Sequence, residues 1–414
     1  MTPHPPATGM LTVEEYLARV LALGFRLDDE ECGIDDGLGR VLAEPVAAQV
    51  AVPPFDNSAM DGFAVRSSDL VADAATSLRV VGDIPAGATS WPRVGAGEAA
   101  RIMTGAPLPP GADAVVPVEQ TDQPLGDVPL PDRVLVREPV RAGQHVRRGG
   151  EDVAPGEVVL PAGLRWTAGA ASSAASLGHA RVRLVRRPRV AVIATGSELA
   201  APGAPLGPGR IPDSNSSLVA GLVRQFGAEV SLVERAPDDA DAFREVLERA
   251  TATSDLVVTT GGVSVGAFEV VRQVVEGEIS FVKVAMQPGK PQASGLLTSA
   301  DGRRVPLLGL PGNPVSVFVS SWLFVRPLLA RLGGWSDDWP AVALPTRVGW
   351  SGPAGRRQFL PARIVEGGVE PVHRLGSGSH LVASLALADS LAVVDEDVTR
   401  VEAGHLVRTH RVSP

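Results

Sequence analysis

The spacing of hydrophobic positions changes twice along the chain, which predicts a β-rich first part, an alternating α/β centre and a β-rich tail. Thr12 and Glu15 form a capping-box pattern, and apolar residues at helical spacing follow it as far as Gly24, so a first helix is predicted there. From Leu42 to about Leu164, short β-prone runs separated by Pro and Gly predict strands and turns. The tail, about Trp339 to Pro414, shows the same pattern and predicts a small β-barrel or sandwich.

The central part alternates between strand and helix patterns. Val190 to Ala194 is a continuous apolar run, which is typical of a parallel strand buried on both faces. Helical patterns at 214–226 and from Asp238 onward separate further strand patterns, which lie at 229–233, 256–258, 281–284 and 305–308. This alternation predicts a doubly wound α/β domain.

Charge and composition exclude several classes of protein. Hydrophobic residues make up 44% of the chain and charged residues 21%, as in ordinary soluble globular proteins. The net charge of −9 argues against a nucleic-acid or anionic-membrane surface. The uncharged stretch from Val305 to Val325 is long enough to cross a bilayer, but Pro306, Pro311 and Pro314 predict strand, turn and helix instead. Met1 to Met10 lacks the features of a signal peptide.

The single cysteine and the seven histidines limit which disulfides and metal sites the chain can form. Cys32 is the only cysteine, which excludes an internal disulfide framework and a cysteine-based zinc site and fits a reducing cytoplasm. The seven histidines are scattered without metal-ligand spacing. A catalytic metal ion is therefore expected to have oxygen ligands, as Mg²⁺ does.

Four glycine-containing loops follow predicted strands of the central domain. Ligands of open α/β sheets bind outside the carboxyl ends of the strands, so these loops are expected to share one edge. Glycines let backbone N–H groups approach an anion, and helix N-termini add positive partial charge, which predicts a site for a phosphorylated small molecule. One such loop alone is more typical of an ordinary turn, whereas four at strand ends are much harder to assign to turns. The loops are Thr195-Gly196-Ser197-Glu198, Gly261-Gly262-Val263-Ser264-Val265-Gly266, Gln287-Pro288-Gly289-Lys290-Pro291 and Leu310-Pro311-Gly312-Asn313-Pro314.

Two carboxylates, Glu198 and Glu269, lie among these loops. Either alone fits a solvated glutamate, and Glu269 also fits the first turn of a helix, where the helix dipole favours negative charge. Beside a phosphate site they fit Mg²⁺, which binds through one or two carboxylates plus ligand phosphates. Asp213, Ser214 and Asn215 fit a helix cap, and they also fit ligand binding at the same helix end.

A second group of polar residues lies in the first half of the chain. Pro54 to Val65 carries two aspartates and an asparagine between apolar residues, which is unusual for a linker. Ile102 to Pro107 has a similar character. Composition alone assigns neither segment a role.

Eight motifs occur in a fixed order across nearly the whole chain. They are Phe55-Asp-Asn-Ser-Ala-Met-Asp-Gly-Phe63, Ile102-Met-Thr-Gly-Ala-Pro-Leu-Pro109, Arg148-Gly-Gly-Glu-Asp152, Thr195-Gly-Ser-Glu-Leu199, Asp213-Ser-Asn215, Gly261-Gly-Val-Ser-Val-Gly266, Pro288-Gly-Lys-Pro291 and Leu310-Pro-Gly-Asn-Pro-Val-Ser316. In this combination the chain resembles the molybdopterin molybdenumtransferases, the family that includes the gephyrin E domain.

The resemblance implies four structural domains and a homodimer. The implied fold combines a central doubly wound α/β molybdopterin-binding domain with β-rich regions on either side. The implied domains are residues 1–50 with 140–187 (a discontinuous linker and dimerisation domain of mixed α/β character), 51–139 (an inserted β domain), 188–333 (the molybdopterin-binding domain) and 338–414 (a small C-terminal β-barrel).

The resemblance also implies a reaction, in which molybdate is inserted into the dithiolene of adenylylated molybdopterin with Mg²⁺-dependent release of AMP. The active cleft would lie between the α/β domain of one subunit and the N-terminal β segment of the other, which would bring Asp61 to the glycine-rich loops. A molybdopterin adenylyltransferase and apo-molybdoenzymes are the expected protein partners, and no nucleic acid or membrane is expected.

The same resemblance implies which residues are functional, because they occupy matching positions in the family motifs. Asp61, Glu198 and Glu269 match the catalytic and Mg²⁺-binding carboxylates, and Glu269 falls where the family often has aspartate. The implied substrate-binding residues are Thr104, Gly105, Thr195, Gly196, Ser197, Asp213, Ser214, Asn215, Gly261, Gly262, Ser264, Gly266, Lys290, Pro311, Gly312, Asn313 and Pro314. The implied molybdate-binding residues are Lys283, Lys290, Arg356, Ser377 and Ser379.

Four positions depart from the family pattern. Gln287 stands where a lysine is usual, Ala267 replaces an acidic residue, Pro212 replaces an aromatic residue, and Pro361 falls near a usual arginine. These departures keep an alternative open, in which the chain is a paralogue that binds the cofactor precursor, or a scaffold, with reduced or no transferase activity. A related adenylyltransferase is normally a single domain, and a generic nucleotide-binding module leaves the Asp61 motif unexplained.

Overall fold

The computed structural model describes residues 9–126, 128–262, 270–275, 277–373 and 382–412. The contacts within the chain divide it into two compact units. Unit 1 comprises Met1–Glu30, Gly39–Val41 and Leu184–Pro414, and unit 2 comprises Glu31–Leu38 and Leu42–Arg183.

The first helix, α1 (Val13–Ala22), begins at the predicted capping box. The Thr12 hydroxyl accepts a hydrogen bond from the Glu15 N–H at 3.0 Å, and the Glu15 carboxylate accepts one from the Thr12 N–H at 2.8 Å. On the apolar face, the buried Tyr16 hydroxyl donates to the carbonyl of Ala293 at 3.1 Å. The helix thereby packs into the core of unit 1.

The part of the chain from Asp29 to Val185 is mostly β-structure, as its Pro/Gly punctuation predicts. Its elements are β1 (Asp29–Gly33), β2 (Val46–Ala47), β3 (Asn57–Ser58), β4 (Gly62–Val65), β5 (Thr76–Ile84), β6 (Glu98–Ile102), β7 (Ala114–Pro117), β8 (Arg133–Val136), β9 (Val146–Arg147), β10 (Val158–Leu160), α2 (Ala168–Ser176) and β11 (Arg181–Val185). Five strands form one sheet in the order β7-β4-β6-β5-β8, so β4 is an inner strand, and Asp61 directly precedes it.

The central part contains the elements that form the rim described below. They are β12 (Arg189–Thr195), β13 (Leu199–Ala200), β14 (Ile211–Pro212), α3 (Asn215–Gln225), β15 (Glu229–Ala236), α4 (Ala240–Thr253), β16 (Leu256–Thr260), α5 (Val270–Val274), β17 (Ile279–Lys283), β18 (Met286–Gln287), β19 (Pro291–Thr298), β20 (Arg304–Leu310), α6 (Pro314–Ser320), a π-helical turn (Ser321–Val325) and α7 (Arg326–Gly333).

Six of these strands form a mixed sheet in the order β15-β12-β16-β20-β19-β17. The first four are parallel to one another, whereas β19 runs antiparallel to both of its neighbours. The alternation of the sequence did not predict β19, because its first residues follow directly on a turn-like Pro-Gly-Lys-Pro segment. The reversal in β19 makes β17 point the same way as β20, so both end at one edge.

The packing of the β12 side chains on both faces of the sheet explains why its sequence is uniformly apolar. Val190 and Val192 pack in the cluster that includes α3 and α6, and Ala191 and Ile193 pack in the cluster that includes α4. Both faces of this strand are therefore covered by helices. The continuous helical segment Pro314–Gly333 is long and apolar enough to span a membrane, but 83% of its most apolar window is buried within the protein, as in a core helix.

The tail forms a second sheet in unit 1. The strands of the tail are β21 (Ala341–Pro345), β22 (Trp350–Ser351), β23 (Arg357–Val365), β24 (Gly368–Pro371), β25 (Ser390–Val394), β26 (Arg400–Val401) and β27 (Leu406–Arg411), of which β22 and β26 pair only with each other. The sheet order is β18-β23-β25-β27-β21, with β24 beside β23. The short strand β18 thus leaves the central sheet and pairs in parallel with β23, where Gln287 lies opposite Gln358.

Close packing at Gly295 in β19 gives a test of this sheet. A Cβ atom there would lie 2.3 Å from the Glu278 carbonyl oxygen, so we expect Gly295→Ala to destabilise the protein by about 1–3 kcal/mol. Gly221 on α3 has no atom within 4 Å of such a Cβ, and Gly221→Ala is expected to stabilise the helix by about 0.5–1 kcal/mol. Thermal unfolding of both variants checks this, and an unchanged midpoint for Gly295→Ala would contradict the packing.

Candidate functional site

The carboxyl ends of four strands meet at one edge of the central sheet. The pairing places Ala194 opposite Thr260, Thr260 opposite Leu310, and Lys283 opposite Pro291. Each strand end leads into one of the four glycine-containing loops. We call this edge the rim, and it consists of residues 195–199, 261–262, 287–291 and 310–314.

Contacts at the rim are so close that they require glycine. Gly261 has φ +85° and donates its N–H to the Leu310 carbonyl at 3.1 Å. A Cβ atom on Gly261 would lie 2.7 Å from the Thr195 carbonyl oxygen, and one on Gly262, at φ +67°, would lie 2.4 Å from a methyl group of Val271. The loops after β12, β16 and β20 therefore pack backbone against backbone, with the Gly261 N–H engaged by the Leu310 carbonyl.

The start of α3 is joined to the rim through Asn215. Its amide N–H donates to the Gly312 carbonyl at 2.7 Å, and the buried Asp213 accepts from the Ser216 N–H at 3.0 Å. Asp213 therefore caps the helix, whereas the Ser214 side chain forms no capping bond.

Several buried acceptors beside this helix start have no hydrogen-bond donor within the described part of the chain. They include Asn215 Oδ1, Thr260 Oγ1 and Asp213 Oδ2, of which the last has only a distant ion pair with Arg235 at 3.9 Å. A buried polar atom left without a partner costs about 1–3 kcal/mol. Asp213 and Asn215 lie at the start of α3 and Thr260 at the end of β16, so these atoms are candidates for hydrogen bonds to a ligand.

In the loop after β12, Ser197 forms hydrogen bonds within the protein, whereas Glu198 is exposed to solvent. Ser197 donates its N–H to the Asp238 carboxylate at 2.9 Å, and its hydroxyl accepts from the Asp238 N–H at 3.2 Å, so both groups are already engaged. Glu198 is exposed. A Cβ atom at Gly196 would lie 2.4 Å from the Glu198 carboxylate, so glycine lets that carboxylate lie against the loop backbone. The role of Asp238 was not evident in the sequence, where it fits an ordinary helix start.

Both lysines of the chain lie in the segment from Lys283 to Lys290, although lysine and arginine together number 38. The Val284 N–H donates to the Lys290 carbonyl at 2.8 Å, which holds the two ends of this segment together. Neither lysine forms an ion pair with a carboxylate among the described residues. This concentration of lysine in an arginine-rich chain is visible in the sequence and marks the segment independently of any motif.

Arg356 lies next to the same segment, because β18 pairs with the start of β23. Its Nη1 donates to Gln287 Oε1 at 3.3 Å. The following residue, Arg357, instead forms ion pairs with Glu14 and with Glu396. Five residues implied by the family motifs, Ser264, Gly266, Glu269, Ser377 and Ser379, lie outside the described part of the chain, as does Ala267.

Unit 2 contains a separate cleft of about 580 Å³ with Asp61 in its wall. Its lining residues are Met60, Asp61, Gly62, Phe63, Asp83, Arg101, Met103, Thr104, Val118, Glu119, Gln123, Pro124, Leu125, Gly126, Val128 and Pro131. Asp61 Oδ1 accepts hydrogen bonds from the Thr104 N–H at 2.6 Å and from the Thr104 hydroxyl at 2.7 Å. These two bonds lower the pKa of Asp61, so the exposed carboxylate is anionic at neutral pH.

The two aspartates of the Pro54–Val65 segment have different surroundings. Asp56 accepts from the Gly149 N–H at 2.8 Å and forms an ion pair with Arg148 at 2.6 Å, and these contacts lower its pKa. Asp56 therefore fixes the Arg148-Gly149 turn, whereas Asp61 faces the cleft. Gly105, at φ +81°, donates its N–H to the Ser58 carbonyl at 2.8 Å and so positions the turn that carries Thr104.

The described residues contain no group of three or more His, Cys, Asp or Glu side chains that could hold a metal ion by themselves. Of the carboxylates implied by the motifs, Asp61 belongs to unit 2 and Glu198 to unit 1. Neither carboxylate belongs to such a group among the residues that the structure describes.

Comparison with known proteins gives matches over nearly the entire chain. Residues 11–178 match the MoeA N-terminal region (domain I and II), residues 191–331 match a probable molybdopterin binding domain, and residues 343–411 match the MoeA C-terminal region (domain IV).

Individual relatives also match this chain over most of its length. Molybdopterin molybdenumtransferase 2 of Mycobacterium tuberculosis is 42% identical over 378 residues, which cover 88% of this chain and 91% of that protein. The molybdopterin molybdenumtransferase of Haemophilus influenzae is 36% identical and covers 96% of this chain and 98% of its own. The crystal structure of the molybdopterin biosynthesis MoeA protein of Pyrococcus horikoshii superposes with a TM-score of 0.80 at 31% identity, over 98% of this chain and 100% of that one.

The geometry around Asp61 predicts how its carboxylate titrates. Thr104→Val removes the hydroxyl donor but keeps the backbone donor, so we expect the pKa of Asp61 to rise part of the way toward its ordinary value of 3.8. Carbon-13 NMR titration of labelled aspartate side chains measures this change. A pKa of Asp61 that is unaltered by the substitution would show that the hydroxyl does not bond to the carboxylate.

Proposed function

The chain belongs to the molybdopterin molybdenumtransferase family and is a transferase of molybdenum cofactor biosynthesis, and from this premise we propose that it inserts molybdate into adenylylated molybdopterin. In the proposed reaction, the dithiolene of molybdopterin receives the molybdenum and AMP is released with the help of Mg²⁺. The observation that carries this proposal is the rim, with its glycine-dependent backbone contacts and its buried, unpaired acceptors.

The rim residues support binding of both parts of this substrate. Asn215 Oδ1 and Asp213 Oδ2 are buried acceptors in need of donors, and the amino and ring N–H groups of a pterin supply such donors. Gly262, at φ +67°, follows β16 without a side chain, which lets a phosphate approach its backbone closely. Pro311, Gly312, Asn313 and Pro314 complete the wall next to Asn215.

Mg²⁺ fits the carboxylates of this chain when a substrate phosphate completes its coordination. We assign Glu198, Glu269 and Asp61 to this role, with Glu198 exposed on the rim and Asp61 held as an anion by Thr104. A Mg²⁺ ion commonly uses one or two carboxylates plus phosphate oxygens. When bound, it would neutralise charge on the phosphates, and Asp61 and Glu198 would orient the ion and the water around it.

Molybdate, a dianion, requires positive charge within a chain whose net charge is −9. We assign its binding to Lys283, Lys290 and Arg356, together with Ser377 and Ser379. The support is that both lysines of the chain lie in one short segment and that Arg356 is hydrogen-bonded to a neutral amide of that segment. Charge-assisted hydrogen bonds from such groups suit a tetrahedral oxyanion.

We further propose a cytoplasmic homodimer in which the Asp61 cleft of one copy and the rim of the other copy together form the active site. The exposed position of Asp61 and Thr104 supports this, since both point into an open cleft. The proposed domains remain residues 1–50 with 140–187, 51–139, 188–333 and 338–414. A molybdopterin adenylyltransferase would supply the substrate, and apo-molybdoenzymes would accept the product.

AMP release tests the proposed reaction. The pure protein is incubated with adenylylated molybdopterin, Mg²⁺ and molybdate, and AMP is followed together with reconstitution of an apo-molybdoenzyme. We expect AMP to appear only when molybdate is present. Binding of the pterin without AMP at any molybdate concentration would contradict the proposed reaction and leave only binding of the cofactor precursor.

Removal of the Asp61 carboxylate gives a second prediction. We expect Asp61→Ala to lower kcat by about 10²–10⁴-fold, as loss of a positioned catalytic carboxylate does, while the fold and most of the affinity for adenylylated molybdopterin persist. Glu138→Ala is the matched control, because Glu138 is also an exposed acidic residue of unit 2. Loss of soluble folded protein in Asp61→Ala alone would show that Asp61 has a structural role instead.

A further inference from the structure

Gln287 occupies an unusual place on the rim. It lies within the segment that carries the chain's two lysines, Lys283 and Lys290, and its side chain contacts the arginine that flanks β23. The contact is a hydrogen bond from Arg356 Nη1 to Gln287 Oε1 at 3.3 Å, and both side chains are half-buried. One neutral residue is thus placed among three cations.

The chemistry of the two groups fixes how they meet. A guanidinium has only donors, so the glutamine amide must turn its oxygen to Arg356 and its NH₂ group away from it. Within the described part of the chain, that NH₂ group makes no hydrogen bond. The Gln287 amide can therefore hold Arg356 and still donate to another acceptor.

A neutral partner also leaves the charge of Arg356 intact. The adjacent Arg357 shows the alternative, because Glu14 and Glu396 neutralise it. Arg356 forms no ion pair with any carboxylate that the structure describes. Of the two neighbouring arginines, Arg357 thus anchors the fold, while Arg356 is oriented without being neutralised.

The backbone holds Gln287 in place. β18 pairs in parallel with β23, with Met286 opposite Arg357 and Gln287 opposite Gln358, and the Arg357 N–H donates to the Ala285 carbonyl at 3.0 Å. The Gln287 side chain therefore projects from a strand that is hydrogen-bonded to β23, the strand that directly follows Arg356. Such a supporting contact can fix a ligand-binding side chain more precisely than a loop can.

We propose that Gln287 is a positioning residue for the oxyanion site, which holds Arg356 in its binding orientation without neutralising it. This inference rests on the proposed function, in which Arg356 contacts molybdate. Glutamate at this position would pair with Arg356 and cancel its charge. Glutamine orients the guanidinium and leaves its charge available to the dianion.

A double-mutant cycle tests this role in the full-length protein. The Kd of molybdate is measured by isothermal titration calorimetry, and kcat and the KM for molybdate are measured by AMP release, for Gln287→Ala, Arg356→Ala and the double variant. Gln287→Ala is expected to raise Kd and KM by about 3- to 10-fold, the size of effect of losing a hydrogen bond to a charged group, with kcat within about twofold of the unsubstituted protein. Gln287→Glu is expected to raise them further.

The proposal requires that Gln287 act through Arg356. In the Arg356→Ala background, Gln287→Ala should therefore change the Kd of molybdate by less than about twofold. An equal effect in both backgrounds, or no effect of Gln287→Ala at all, would overturn the positioning role. The control is Gln273→Ala, which removes an exposed glutamine of unit 1 and is expected to change neither constant.

The same cycle separates this inference from the proposed function. If Arg356→Ala leaves the Kd and KM of molybdate unchanged, the assignment of Arg356 to the oxyanion is wrong, and the role of Gln287 is overturned with it. If Arg356→Ala weakens molybdate but Gln287→Ala does not, the proposed site stands and only the positioning role is lost.

Discussion

The contact between Gly261 and the Thr195 carbonyl is the constraint on which the central site depends. A side chain at Gly261 would lie within 2.7 Å of that oxygen, so two loops from neighbouring parallel strands can meet only when this residue is glycine. Their meeting brings Leu310 and Gly312 within reach of the same backbone. The ends of the parallel strands are thereby held together at one edge, with the buried Asn215 and Asp213 at the start of α3 beside Gly312.

The local arrangement of charge explains how a chain with a net negative charge can bind anions. The net charge of −9 is distributed over the molecule, while the chain's two lysines are concentrated beside the rim and Arg356 faces a neutral amide. The neighbouring Arg357 is instead neutralised by Glu14 and Glu396. An oxyanion is therefore attracted by the local cations of this segment, although the overall charge opposes its binding.

The sequence predicted those features that local pattern determines. The capping box located α1, the apolar run located β12, and the glycine-containing loops were correctly expected at strand ends. It did not predict β19, whose first residues resemble a turn, or the pairing of β18 with β23, because strand pairing between distant segments leaves no periodic signal. For the same reason, the different roles of Asp56 and Asp61 and the contact between Gln287 and Arg356 became evident only from the structure.

We propose that the rim binds the pterin substrate through the buried acceptors at the start of α3. A crystal structure of the protein with adenylylated molybdopterin would test this binding mode. We expect pterin N–H groups within hydrogen-bond distance of Asn215 Oδ1 and Asp213 Oδ2, with the phosphates against Gly261 and Gly262. A ligand bound elsewhere, with these acceptors still unpaired or satisfied by water, would contradict it.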